Sequence, residues 1–183
     1  MRSRPGMVDP YPEIRTWGVS AGVVDATLDA LDPARHPGVE AGVFRLGPRQ
    51  SDSPVSAVVI PRGEGVDALP GCWRVTPEVF GRVGSWATAA GVNLLGVVHT
   101  HGGRSPARLS RQDRAHLVKA PGVLAVVVAH NGSEPDPDRW GWYVWTYDVY
   151  HLLTPPDRAQ RLTRPGGTSP SVWRADATGV YPV

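Results

Sequence analysis

The stretch GVVHTHGGRSPARLSRQD, residues 96–113, decides how this chain is read. Its apolar start ends on two of the chain's six histidines, His99 and His101, with one threonine between them. On an extended segment, side chains two positions apart point to the same face. The two imidazoles therefore project together while Thr100 faces away, and such a pair can share one zinc ion at about 2.0–2.1 Å per bond. The apolar strand behind them supplies the rigidity a metal site needs. A core histidine beside a solvent-facing one would give the same pattern. The Gly-rich loop at the strand's C-terminal end favours the ligand pair.

Asp113 offers a third ligand, since a carboxylate in the first turn of the helix opened by Ser110 can face back toward the strand end. Ser110 and Asp113 also fit a helix-capping box, which by itself accounts for both residues. His116, one turn further on, competes as a ligand, or is simply a surface or half-buried histidine. Three protein ligands leave a fourth position for water, the pattern of catalytic rather than structural zinc. That chemistry calls for a carboxylate able to accept the water's proton and pass it to the leaving amine. Of the five glutamates, Glu40 alone falls on an apolar strand. An acid is costly to bury there without a purpose; the alternative is a strand-edge residue facing water.

The rest of the chain suits a single domain of ordinary soluble composition. It has 183 residues, 41% apolar and 20% charged. The formal charge is +2 from 19 basic and 17 acidic residues, and Lys119 is the sole lysine. Arginine-rich, nearly lysine-free composition reflects a GC-rich, prokaryotic-looking genome, and no basic run points to nucleic acid. One cysteine, Cys72, excludes an internal disulfide and a cysteine metal cluster. The longest apolar run, 123–129, is too short to cross a bilayer. The N-terminus lacks the apolar core of a secretory signal, so a cytoplasmic protein is expected.

Strands are expected over IRTWGVS, GVEAGVFRLG, PVSAVVIPRG, CWRV, NLLGVV, VLAVVVA and WGWYVWTYDVY. Helices are expected from Ser20 to about Leu31, from Thr76-Pro77 to Gly91, and from Ser110 to about Ala120. Helices interleaved with strands in a partly antiparallel order indicate a wrapped α/β domain. The aromatic residues of the late strand would form either core or a partner surface.

Taken together, Glu40-Ala-Gly-Val-Phe-Arg-Leu-Gly, His99-Thr-His101 and Ser110-x-x-Asp113 resemble the JAMM (MPN-plus) metalloproteases. These are zinc peptidases and isopeptidases acting on ubiquitin, ubiquitin-like proteins and sulfur-carrier proteins. The resemblance implies an α/β fold of the MPN (JAMM, cytidine-deaminase-like) type, a mixed curved β-sheet wrapped by two to three helices. That domain would span 12–154, between a loose segment 1–11 and a Pro/Gly-rich irregular tail 155–183. The resemblance also implies that His99, His101 and Asp113 bind Zn2+ and that Glu40 is the general acid/base. Ser110 would donate to the tetrahedral oxyanion; losing one such donor typically costs about 10²–10³ in turnover. Two departures from the family pattern stand out: Gly102 replaces a proline, and the eight-residue stretch GGRSPARL is one residue longer than the family spacing. A loop absorbs one residue at little entropic cost.

The partner implied is a ubiquitin-like or sulfur-carrier protein ending in Gly-Gly, laid as an added strand beside a sheet edge. No nucleic acid or membrane partner is expected. A non-catalytic MPN scaffold and a zinc hydrolase of small amides are the competing readings. RLTRPGG, residues 161–167, echoes a ubiquitin-like tail and would, on one reading, lie over the active-site groove; an ordinary Pro-Gly turn explains it more simply.

Overall fold

A computed structural model describes residues 14–103, 105–146, 148–167 and 169–183. The expected loose segment 1–11 lies outside the described residues. The chain begins with β1 (Thr16–Gly18) and α1 (Ala21–Ala30). Ser20 caps α1 by accepting the Val23 N–H, as its position before an apolar periodic run dictates. Next come β2 (Gly42–Gly47), β3 (Asp52–Pro54), β4 (Ala57–Pro61), β5 (Val66–Leu69) and β6 (Cys72–Val75). Then follow α2 (Pro77–Ala89), with proline in its first turn, and β7 (Asn93–Thr100). The remaining elements are α3 (Arg111–His116), β8 (Leu124–Val128), β9 (Gly141–Trp145), β10 (Tyr150–Leu152), α4 (Pro155–Arg161), β11 (Leu162–Thr163), β12 (Ser171–Ala175) and β13 (Val180–Pro182).

Eight strands form one mixed sheet in the order β10-β9-β8-β7-β2-β4-β12-β13. β7 runs parallel to β8 and antiparallel to β2, so the His-Thr-His strand is central and buried from Leu95 onward. Strands covered on both faces read as continuous apolar runs, which is the pattern of NLLGVV and VLAVVVA. One face carries α1, Trp17, Val43, Val98 and Trp142; the other carries α2 with Phe44, Val59, Val83 and Val97. Arg45 is buried on the α1 face, where it donates to the Thr27 hydroxyl and lies over the Trp140 and Trp142 rings at 5.6 and 5.5 Å. Burial pushes its guanidinium down to about 9, which leaves it charged at neutral pH.

Four expectations need correction. The helix opened by Ser110 ends at His116, not near Ala120, because Leu117 turns to extended backbone and packs with Val118 against the α2-side core. The late aromatic stretch is a β9–β10 hairpin in place of one strand. Its Trp142, Tyr143 and Tyr150 are core residues, at most 5% exposed, and so form no partner surface.

The segment 155–183 is not irregular. It holds α4 and three strands, and β12 pairs in parallel with β4 from Ser171↔Ala57 to Ala175↔Pro61. Trp173 meets Trp86 of α2 at 4.9 Å between ring centroids. The turn-forming residues of this segment conceal a strand whose partner is far away in sequence, a pairing no local pattern encodes.

Ending the chain at Gly167 removes β12 and β13 and bares the β4 edge. Stability should fall by at least about 3 kcal/mol, the scale of deleting one packed aromatic. Urea unfolding measured beside the full chain checks this.

Candidate metal centre

The centre is assembled by strand register. Gly42 of β2 sits opposite His99 of β7, and β8 supports the other side with His99↔Val127 and Thr100↔Val128. Thr100, facing away from the histidines, accepts the Ala41 N–H on Oγ1 at 2.9 Å and donates its own N–H to the Ala41 carbonyl at 2.8 Å. Those two bonds hold the segment before β2 against the histidine strand. Glu40 is thereby buried just ahead of β2, and its Oε1 accepts the Gly102 N–H at 3.3 Å. The water-facing reading of Glu40 does not apply.

His101 leaves β7 with its N–H on the Val128 carbonyl at 2.9 Å, and its own carbonyl accepts the Asn131 N–H at 2.8 Å. His130 and Asn131 both hold left-handed backbone, φ 57° and 56°, a conformation costly for residues other than glycine. Sequence reading missed the support this turn gives His101, although its Asn-Gly dipeptide was a turn signal.

Asp113 caps α3 and at the same time faces both histidines. Ser110 Oγ accepts the Asp113 N–H at 3.0 Å, and Asp113 Oδ2 accepts the Ser110 N–H at 2.7 Å, completing the capping box. The same carboxylate lies 3.3 Å from His99 Nε2 through Oδ1 and 3.1 Å from His101 Nε2 through Oδ2. The two Nε2 atoms are 3.2 Å apart. His116 is exposed, lines the same cavity, and stands outside this convergent trio.

Two imidazole nitrogens and a carboxylate meeting at one point repel unless a proton or a cation lies among them. A tetrahedral ion with bonds of about 2.0–2.1 Å has ligand–ligand edges of about 3.3–3.4 Å, close to the separations found here. Nδ1 of His99 is buried and has no hydrogen-bond partner among the described residues, so Nε2 is that ring's only engaged nitrogen. The donor set fits a zinc ion.

Burial, the largest single influence on His101, disfavours its protonation; the hydrogen bond and charge of Asp113, with Glu40 adding, outweigh it and raise the imidazole above its ordinary value. Burial likewise opposes ionisation of Asp113, yet hydrogen bonds from His101 and His99 hold it well below the usual carboxylate range. A cation at this point would find its carboxylate already ionised.

The trio opens into a cavity of about 450 Å³. Glu40 and Ser110 line it with the trio; Phe44, Trp73, Phe80, Val97 and Leu117 supply apolar walls. The β6 contribution, Cys72 to Val75, was not foreseen as part of a site. Among the described residues none after Val118 lines the cavity, so the idea that 161–167 covers the groove is corrected: Leu162 and Thr163 pair with β1 instead.

Residues 30–143 match the family of prokaryotic homologs of the JAB domain. No curated protein matches the chain in sequence. The solution structure of protein DSY2949 from Desulfitobacterium hafniense is similar in fold, with 17% identity and a TM-score of 0.59 over 83% of this chain and 93% of that one. A Salinibacter ruber protein structure aligns with 20% identity and a TM-score of 0.50 over 85% and 94% of the two chains. A JAB1/MPN domain protein, AF2198 from Archaeoglobus fulgidus, aligns at 15% identity and a TM-score of 0.43, over 83% of this chain and all of that one.

Ser110→Ala removes the cap of α3, and metal-free protein should lose about 1 kcal/mol of stability by urea unfolding. Ser110→Asn, another good cap, should restore most of it.

Proposed function

The chain belongs to the prokaryotic JAB-domain family, and we propose that it is a zinc-dependent, deubiquitinase-like peptidase. Its substrate is the bond after the C-terminal Gly-Gly of a ubiquitin-like or sulfur-carrier protein. One observation carries this reading: His99, His101 and Asp113 converge on one point, and Glu40 shares their cavity.

His99 Nε2, His101 Nε2 and a carboxylate oxygen of Asp113 hold the zinc. When bound, the ion supplies Lewis acidity toward a carbonyl and lowers the pKa of water to about 7. The Glu40 carboxylate takes the proton of the attacking water and passes it to the leaving amine. Ser110 Oγ accepts the Asp113 N–H, which leaves its hydroxyl hydrogen free to donate to the developing oxyanion.

β6 is bonded to β5 alone among the described strands, and its residues line the cavity. An extended tail adds there as a strand. Phe44 and Trp73 stand among the cavity's walls, and bulky rings there would favour glycine at the tail positions nearest the metal. No helix is long and apolar enough to cross a membrane among the described residues, which fits a substrate met in the cytoplasm.

A second reading, hydrolysis of small amides, has the cavity volume in its favour, since about 450 Å³ suits a small ligand. The experiment combines zinc quantification with cleavage of a ubiquitin-like protein fused through Gly-Gly, beside Glu40→Gln and His99→Ala. About one zinc per chain is expected in the parent and Glu40→Gln, cleavage in the parent alone, and loss of zinc in His99→Ala. Zinc with no cleavage of any fusion favours a non-catalytic scaffold; cleavage confined to small acyl amides favours the second reading.

A further inference from the structure

The β5–β6 hairpin forms a two-stranded sheet of its own, separate from the eight-stranded sheet it leans on. Two contacts tie it to the start of β2. The Leu69 carbonyl, at the hairpin turn, accepts the Glu40 N–H at 3.1 Å. The six-membered ring of Trp73 lies on the bare backbone of Gly42, where an added Cβ would fall 2.7 Å from three of its carbons. The ring also packs beside Phe44, 5.9 Å between centroids. Glu40 and Gly42 flank Ala41, which Thr100 holds from the opposite side. The strand start is thus gripped from two directions: from β7 at residue 41, and from the hairpin at residues 40 and 42.

We infer that Trp73 is a positioning residue. Seated on Gly42, it latches the hairpin to β2, and through the Leu69 carbonyl the latched hairpin sets where the Glu40 carboxylate stands relative to His99 and His101. Glycine is required at 42 because the ring occupies the space of a side chain. The hairpin that walls the cavity is therefore the same element that aims the acid/base. The catalytic consequence rests on the peptidase reading; the latch itself does not.

Amide hydrogen exchange followed by NMR in metal-free protein tests the latch without activity. In Gly42→Ala, which pushes the ring off, and in Trp73→Ala, which removes it, the Glu40 amide should exchange at least about tenfold faster. The Ala41 amide, bonded to Thr100 Oγ1, should keep its protection. With zinc restored, each single variant should retain its zinc and lose kcat on the order of 10²-fold through misplacement of Glu40. The double variant should lose no more than the worse single one, because both break one contact.

Unchanged Glu40 exchange in both variants overturns the latch, as do kcat losses that multiply in the double variant. If Gly42→Ala does not fold, Trp73→Ala carries the exchange test alone. Faster Glu40 exchange in a protein whose parent cleaves nothing supports the latch and sinks the peptidase reading.

Discussion

The antiparallel pairing of β2 with β7, in the register that sets Gly42 opposite His99, is the constraint on which the cavity depends. It brings residue 40 beside residue 102 and lets Thr100 bond Ala41 in both directions. A slip of one residue would turn the histidines to the opposite face and away from Glu40, which stays with β2, since strand side chains alternate. The packing beneath makes that slip costly: Val43 and Val98 face one core, Phe44 and Val97 the other. The hydrophobic pattern therefore holds the polar geometry in place, although none of the polar groups contributes much to the core.

Asp113 is one carboxylate that both caps a helix and meets two imidazoles. As the third residue of α3 it accepts the Ser110 N–H and completes the box that starts a six-residue helix. A helix so short has little stability of its own. The cap and the burial of Leu109 just before it fix where the carboxylate sits. The oxygens then face both imidazoles, and their hydrogen bonds hold the group ionised. Capping and ligation had been rival explanations of the same two residues; the carboxylate has enough lone pairs for both.

Several elements show the division between local and distant information. Ser20 and Ser110 start helices by side-chain capping and Pro77 starts one by its fixed φ in the first turn, because these signals act within a few residues. The His-x-His spacing foretold a shared face because strand alternation is local as well. The strand at 171–175 escaped notice because its proof is the β4 edge more than a hundred residues earlier. Leu117 left its helix early for the same kind of reason, drawn to a core that the helix pattern does not contain.

From the order of its residues alone, the chain determined the starts of α1, α2 and α3, its central buried strands and the identities of Glu40, His99, His101, Ser110 and Asp113 in the cavity, since each depends on short-range periodicity or residue chemistry. Only the tertiary structure decided that the hairpin bearing Trp73 closes on Gly42, that the left-handed turn at His130 and Asn131 braces His101, and that the C-terminal segment completes the sheet. Those outcomes are contacts between segments distant in sequence, selected by shape and by unpaired backbone groups, which a linear pattern does not carry.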